Sequence, residues 1–450
     1  MFDDINIKQK ANKTIDSIAK RKIIPLESVR PSKKTKNKNL LLLILSIVFI
    51  IIGCIFLNQK VQYLFEIAQI FKHGKHLVLV QNNAEIRPTG GFIGSIATFQ
   101  TKYYIPNNFY YDTNIYKRDN DFTYKQKIVP TDTVLAKFIP ESGLALRDSN
   151  WTIDFPKAAT EIAWFYEQEG GVKVDTIVAI DTELFKKILH IIGPIKMVKY
   201  NIIVDENNFN EVVQNQVENT YYEDKDNYSI HEPKTILQDM YPIVLARIKN
   251  IKNIPALINV IFESLQNKNI LLYSYNTNSE KTIINNNWGG KIIDTNNDYL
   301  YINNANLGSD KTSLDISENI SYKIQCGLDC TAILNIQKTN KNTQKTNKNF
   351  TTILTPKGSE LVKATIDEVD IKNNIEIQDK YNKNLFRLWT SVDPEKTTNI
   401  NITYKLPNNI TEKKYQLYLQ KQPGAINQNI NISLNDKTIF SGMFLVDKSF

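Results

Sequence analysis

From Leu40 to Leu57 the chain carries no charged side chain, reading LLLILSIVFIIIGCIFL after its first leucine. Wound as a helix at 1.5 Å per residue, this run covers roughly 27 Å of a hydrocarbon core about 30 Å thick. It is apolar on every face, which predicts one membrane-spanning helix over 40–57 rather than a helix packed in a core. Val61, Leu64, Phe65, Ala68 and Phe71 then keep a helical period and predict a stalk over 58–75. The period changes at Gly74. His76–Val80 and Phe92–Phe99 read as strands joined by a turn-rich connection, and Tyr103, Tyr104, Tyr110 and Tyr111 as further strand material. Residues 113–150 read as irregular and polar. A helix is predicted from Asp154, with Asp154 as its cap, Pro156 in its first turn and Ala159, Ile162, Ala163 and Tyr166 on one face. Gly170-Gly171 end it. Val174–Ile180 predicts a strand, Asp181–Ile191 a helix capped by Asp181, and Ile195–Val198 another strand. Helices follow at 208–221, 233–249 and 254–267, with strands at 269–274 and 298–303. This alternation predicts an α/β domain over 76–315, a mixed sheet with packed helices.

Past Asn319 the pattern is strand after strand, broken by polar turns. Ser321–Cys326, Thr331–Ile336, Phe350–Leu354, Phe386–Ser391, Ile400–Tyr404, Tyr415–Gln420 and Ile430–Leu434 predict an all-β sandwich over 316–450, a spacer or interaction module. Cys326 and Cys330 flank Gly327-Leu328-Asp329, and across a tight hairpin their side chains can face one another as a disulfide. The polar run Lys338–Asn349 (KTNKNTQKTNKN) reads as a solvated hairpin loop or, more sharply, as a contact for phosphate-rich wall polymer.

Charge changes the picture at one end only. The net charge is +8, but residues 1–39 hold 11 Lys/Arg against 4 Asp/Glu, so nearly all the excess sits there. Lys33, Lys34, Lys36 and Lys38 immediately precede the apolar run, which places the tail 1–39 in the cytoplasm and the C-terminal bulk outside. The tail suits anionic lipid head groups as a disordered segment or, through Ile7, Ala11, Ile15 and Ile18, as a surface helix. The remainder is close to neutral and offers no nucleic-acid surface. Two rivals to the span are a cleaved signal peptide and a lipoprotein signal ending at Cys54, which would then be lipidated. The leader is long for both, and apolar residues continue to Leu57. Abundant Asn, Lys, Ile and Tyr point to an AT-rich, bacterial genome.

Catalytic signatures are sparse. The chain has no Gly-x-Ser-x-Gly elbow, no His-Glu-x-x-His and no phosphate loop with Gly-Lys-Ser/Thr. His190, alone on an apolar helix, reads as a packed residue. No metal site is expected from the four histidines and three cysteines.

The run LVLVQNNAEIRPTGGFIG ending at Gly94 resembles the opening motif of a bacterial membrane-anchored family known as domain of unknown function 4012. Arg147-Asp148-Ser149-Asn150-Trp151, Asp154-Phe155-Pro156, Val174-Asp175, Gly193-Pro194, Trp288-Gly289-Gly290, Asn306-Leu307-Gly308 and Gln422-Pro423-Gly424 extend the resemblance in order. More distantly, the order of elements is similar to that of the LytR-CpsA-Psr envelope glycopolymer ligases. That similarity implies a phosphotransferase acting on a lipid-pyrophosphate-linked polymer, with Arg87 and Arg147 as phosphate grips, Glu85, Asp148 and Asp154 as acidic candidates, and a magnesium ion. Asn82 and Asn83 stand where those ligases carry aspartates. Beside this stand structural readings: Glu85 with Arg87 as a pair, Arg147-Asp148 as a pair fixing a loop, Thr89-Gly90-Gly91 as a turn with positive φ. The expectation is an envelope protein that binds a cell-wall glycan, surface component or envelope protein, with the transferase as alternative.

Overall fold

The computed structural model describes residues 45, 46, 48, 60–132, 134–138, 143–223, 233–308 and 310–450. The cytoplasmic tail expected over 1–39 lies outside them, as does the expected span at 40–57 apart from three helical positions. No helix among the described residues is long and apolar enough to cross a membrane. The chain divides into two units, Met1–Phe65 and Glu66–Phe450.

The second unit begins on a helix covering 60–70 and passes into a five-stranded mixed sheet. Its order is β3 (Ile105–Asp112), β2 (Phe92–Lys102), β1 (His73–Asn82), β4 (Thr176–Ile180) and β7 (Ile270–Ser274). Only β1 and β4 run parallel in it. Successive side chains of a strand point to opposite faces, so Leu77, Leu79, Ile177, Ala179 and Leu271 share one core with α2 (Phe155–Gln168), which buries Ala158, Ala159, Ile162 and Ala163. α1 (Ile115–Lys125) packs on the same core through Ile115 and Phe122. This helix lies in the stretch read as irregular; its apolar positions are too few to signal a helix against Asn, Asp and Lys. The opposite face of the sheet looks toward α3 (Thr182–Ile192), α4 (Phe209–Glu218) and α5 (Thr235–Ile248), which pack with the ribbon of β5 (Ile195–Met197) and β6 (Ile202–Val204) around a core of their own. α6 (Ile254–Gln266) leads into β7, and α7 (Thr277–Asn285) follows it. Asp181 caps α3 as expected, accepting from the backbone N–H of Glu183 and Leu184.

The β-rich C-terminal region holds two sheets over one core. The larger runs β13 (Val369–Asp370), β12 (Glu360–Ile366), β16 (Thr397–Lys405), β10 (Cys330–Asn340), β9 (Ile316–Cys326), β18 (Gln428–Leu434) and β19 (Lys437–Met443). The smaller runs β14 (Glu376–Lys380), β15 (Lys383–Val392), β11 (Asn347–Pro356), β8 (Asp298–Asn306), β17 (Leu417–Gln420) and β20 (Lys448–Ser449). Strict alternation in β10 buries Ala332, Leu334 and Ile336 against Ile353, Phe386 and Leu388 of the facing sheet. β8 was expected within the α/β domain ending at 315; it is instead an inner strand here, buried along its whole length. Cys326 and Cys330 are joined by a disulfide across the β9–β10 hairpin.

Two expectations are corrected. The run Lys338–Asn349 is a solvated loop only over 341–346: both ends are strand, and Lys338 is buried beside Glu318 at 3.3 Å, donating to Asn304 at 2.7 Å. His190 is exposed on its helix and pairs with Glu206 at 2.9 Å, which raises its pKa.

The two regions meet at the motif loop after β1. Gln422 donates to the carbonyls of Asn304 and Arg87, and Asn83 donates to the Gly424 carbonyl at 3.1 Å. Gly424 has φ +71°, and a Cβ there would lie 2.0 Å from the Gly90 carbonyl oxygen. Backbone against backbone cannot yield without moving both segments. Gly424→Ala is therefore expected to cost about 2–4 kcal/mol, read as a lower urea midpoint with an unchanged m-value.

Candidate functional site

The site begins with a conflict of chemistry: Arg87 is a cation almost sealed from water, 4 % exposed. A buried guanidinium persists when most of its donors are matched and its faces covered, and in Arg87 Nε is the nitrogen without a partner among the described residues. Its Nη2 donates to Glu85 Oε1 and its Nη1 to Asp148 Oδ1, both at 3.0 Å, while Nη1 also donates to the Arg147 carbonyl at 2.8 Å. Trp151 covers one side, with ring centroid 4.3 Å from Cζ, and Phe92 lies at 4.7 Å. Arg147 shares Asp148, its Nε lying 3.3 Å from Oδ2, and its Nη1 pairs with Asp119 at 3.1 Å. Arg87 and Arg147 thus meet on one carboxylate, supplied by a single 3-10 turn, Leu146–Asp148, packed against β2 and α1.

Asp154 stands apart. It occupies the N-cap position of α2, but its Oδ1 accepts from the Ile292 N–H at 2.8 Å, tying the helix start to the chain after α7. Glu85 and Asp148 spend oxygens on Arg87, and no group of three His, Cys, Asp or Glu able to hold a metal occurs among the described residues. Among the described residues the acidic candidates therefore do not come together in a group that fits a magnesium ion.

Two members of the cluster were not visible in the sequence reading. Asp119 Oδ1 and Glu169 Oε2 are buried without a donor among the described residues. The two carboxyls are near enough for each to feel the other's charge. Burial and mutual repulsion push Glu169 up to about 8; burial also raises Asp119, against the pull of Arg147. Glu169 Oε1 meanwhile accepts from the Leu146 N–H at 2.8 Å, which places this carboxyl beneath the turn that presents Arg147 and Asp148.

Next to the cluster lies a cavity of about 1230 Å³ between the second face of the sheet and the helices α3, α4 and α5. Val78, Val80 and Ala97 form its floor, and Ile188, Val213 and Met240 are among its apolar walls. The lining also carries polar groups, among them Lys117, Asn120 and Asp121. Glu85 is there with Tyr116, Lys234, Lys311 and Glu218. Lys311 is paired with Glu218, and Lys234 donates to the Gly94 carbonyl. Burial pulls Lys234 down to about 8, and the nearby Lys311 adds to the effect. On the other side of Arg87, Asp148 and Trp151 line a second, smaller cleft of about 590 Å³. Arg87 and its partners form the partition between the two.

The class that this fold and site define is an α/β layer with an apolar cavity, joined to a two-sheet β-rich region. Residues 73–217 match the model of a family described as "Protein of unknown function (DUF4012)", the family whose motif the sequence resembles. Nothing among curated proteins matches. Solved structures similar in part include an M1 zinc metallopeptidase from Deinococcus radiodurans, 9 % identical over 27 % of this chain and 32 % of that one, with TM-score 0.16. Yeast LTA4 hydrolase is 10 % identical over 27 % of this chain and 23 % of its own, with TM-score 0.17. The chain spans well under two thirds of the length of the solved structures it matches.

Proposed function

We propose that this chain is a single-pass bacterial envelope protein whose outer α/β layer binds an amphiphile: a long apolar chain in the cavity and an anionic head at Lys234 and Lys311. The cavity carries the reading. Protein interiors hold few voids larger than a water molecule, and small-molecule pockets run to roughly 300–1,000 Å³. A space of about 1230 Å³, partly open to solvent and lined mostly by apolar surface, lies above that range. Each methylene moved into it from water contributes about 0.8 kcal/mol. Lipid-linked wall and surface components have this chemistry, and the β-sandwich serves as spacer or adhesive module.

The glycopolymer transferase is the second reading, supported by Arg87 and Arg147 meeting on Asp148 beside the cavity. The binding reading is preferred because Glu85, Asp148 and Asp119 already engage those guanidinium groups. Phosphate would have to displace carboxylates that are themselves buried.

The test is a titration of the full chain with a fluorescent long-chain alkyl phosphate, compared with a double variant, Ala97→Trp with Val213→Trp, that fills the cavity from floor and wall. The variant is expected to bind at least about tenfold more weakly, or about 1.4 kcal/mol. Equal affinity in a folded variant would remove the cavity from the account. Phosphate release from a polyprenyl-pyrophosphate donor, lost in Arg147→Ala, would favour the transferase instead.

A further inference from the structure

The end of the α/β sheet where β1 begins carries a group of exposed aromatic side chains. β2 and β3 pair through Lys102 and Ile105, so Tyr103 and Tyr104 alone form the hairpin loop. Their φ values are +51° and +70°, the left-handed pair of a type I′ turn. That turn strongly prefers Asn-Gly, because a Cβ and a ring at positive φ cost free energy at both positions. Asp367-Glu368, Tyr381-Asn382 and Asn435-Asp436 form two-residue turns with the same φ signs and no glycine, but the turn at Tyr103-Tyr104 is the one among these four that sets two large exposed rings at its tip.

The tip does not bury what it strains to display. Tyr103 and Ile105 are 64 % and 67 % exposed, and Tyr104, Phe109 and Tyr110 are exposed with them. Val172 and Tyr275, exposed beside the start of β4 and the end of β7, lie at the same end of the sheet, since Thr176 pairs with both His76 and Ser274. Exposed Lys72, Lys75, Lys102 and Lys173 surround them; Asp175, which accepts from the Lys75 N–H, and Glu167, beside Tyr275, are acidic neighbours. Tyrosine and lysine together match a lipid interface, where rings sit at head-group level and ammonium groups meet anionic lipid.

The chain also says which surface this end can reach. The tip is fastened to the start of the unit: the Tyr104 N–H donates to the Lys72 carbonyl at 3.0 Å, and Gln69 donates to the Tyr104 hydroxyl at 2.9 Å. From Leu57, the last residue of the apolar run, to Gln69 the chain spans at most about 40 Å even fully extended, and about half that as helix. A second copy of the chain would need no such tether. We infer that the Tyr103–Ile105 hairpin tip, with Tyr275 and the flanking lysines, rests on the outer leaflet of the bilayer that anchors the chain, fixing which end of the domain faces the membrane. This rests on the anchoring reading above.

The test uses the full chain with Cys54→Ser, so that no free thiol remains beside the disulfide, reconstituted in phosphatidylcholine–phosphatidylglycerol vesicles. An environment-sensitive fluorophore is placed at Ile105→Cys or, as control, at Val369→Cys on the exposed β13. Spin-labelled lipid is expected to quench the probe at 105 several-fold more than at 369. Replacing the tip, Tyr103→Asn with Tyr104→Gly, is expected to abolish that difference while the melting temperature holds or rises. Equal quenching at both sites in a chain that resists carbonate extraction overturns the docking but leaves the anchor. Extraction of the chain by carbonate overturns both. A lower melting temperature in the Asn-Gly variant with quenching unchanged would assign the tyrosines to joining hairpin and helix, and shielding that grows with protein density would assign the patch to a second copy; either overturns the proposal.

Discussion

Arg87→Ala is expected to lower the stability of the 66–450 unit by about 3–5 kcal/mol, enough to leave much of it unfolded at moderate temperature. The cost does not come from the lost attraction. It comes from what stays behind: Glu85, whose side chain is only about a tenth exposed, would lose its cation, and Asp148, equally buried, would keep only Arg147. The flat slot between Trp151 and Phe92 would also empty. Lysine is not expected to rescue the variant, since one ammonium cannot reach two carboxylates and the Arg147 carbonyl in the geometry of a fork. Arg147→Ala should be milder, because Asp119 already tends to take up a proton. Urea unfolding of the three variants checks the order; near-equal midpoints for wild type and Arg87→Ala would mean that the cluster is solvated.

Glu169→Gln is expected to change how stability depends on pH. In the folded chain Glu169 is raised to about 8 and its partner Asp119 is raised as well, so the folded state holds protons that the unfolded chain releases near pH 4. Stability falls with pH wherever the folded state binds more protons. The contribution is thus complete below about pH 4 and is lost progressively as pH rises toward 8. Asp181, raised by burial to about 7, and Asp298, raised to about 6, act in the same sense. Glutamine keeps an oxygen for the Leu146 N–H and offers an N–H to Asp119 at every pH. The variant should therefore lose about 2 kcal/mol less than wild type between pH 5 and pH 8. Parallel curves would show that Glu169 holds no proton there.

The elements legible in the sequence were those whose burial is one-sided or complete. Asp154–Gly171 showed its helix because Ala159, Ile162 and Ala163 recur on one face, and β10 showed its alternation across Thr331–Ile336. α1 was hidden because its two buried apolar residues, Ile115 and Phe122, sit among polar residues. Lys338 misled because lysine and asparagine read as solvent, whereas Glu318 and Asn304 wait for them inside. The motif residues have a common explanation in contacts: Arg87 meets Asp148, Gly90 meets Gly424, and Gln422 bonds both Asn304 and the Arg87 carbonyl. Asp154 was grouped with them by sequence order alone and serves another joint. The cavity could not be read in advance, since Val78, Ala97, Ile188, Val213 and Met240 look like any core positions until the helices are seen to stand off the sheet.

The most direct measurement of the central claim is native mass spectrometry of the full chain released from its own membrane, beside the variant with Ala97→Trp and Val213→Trp. The wild-type chain is expected to carry an adduct with a long apolar chain and an anionic head, and the variant to be bare. A bare wild-type chain, or the same adduct on both, would contradict it.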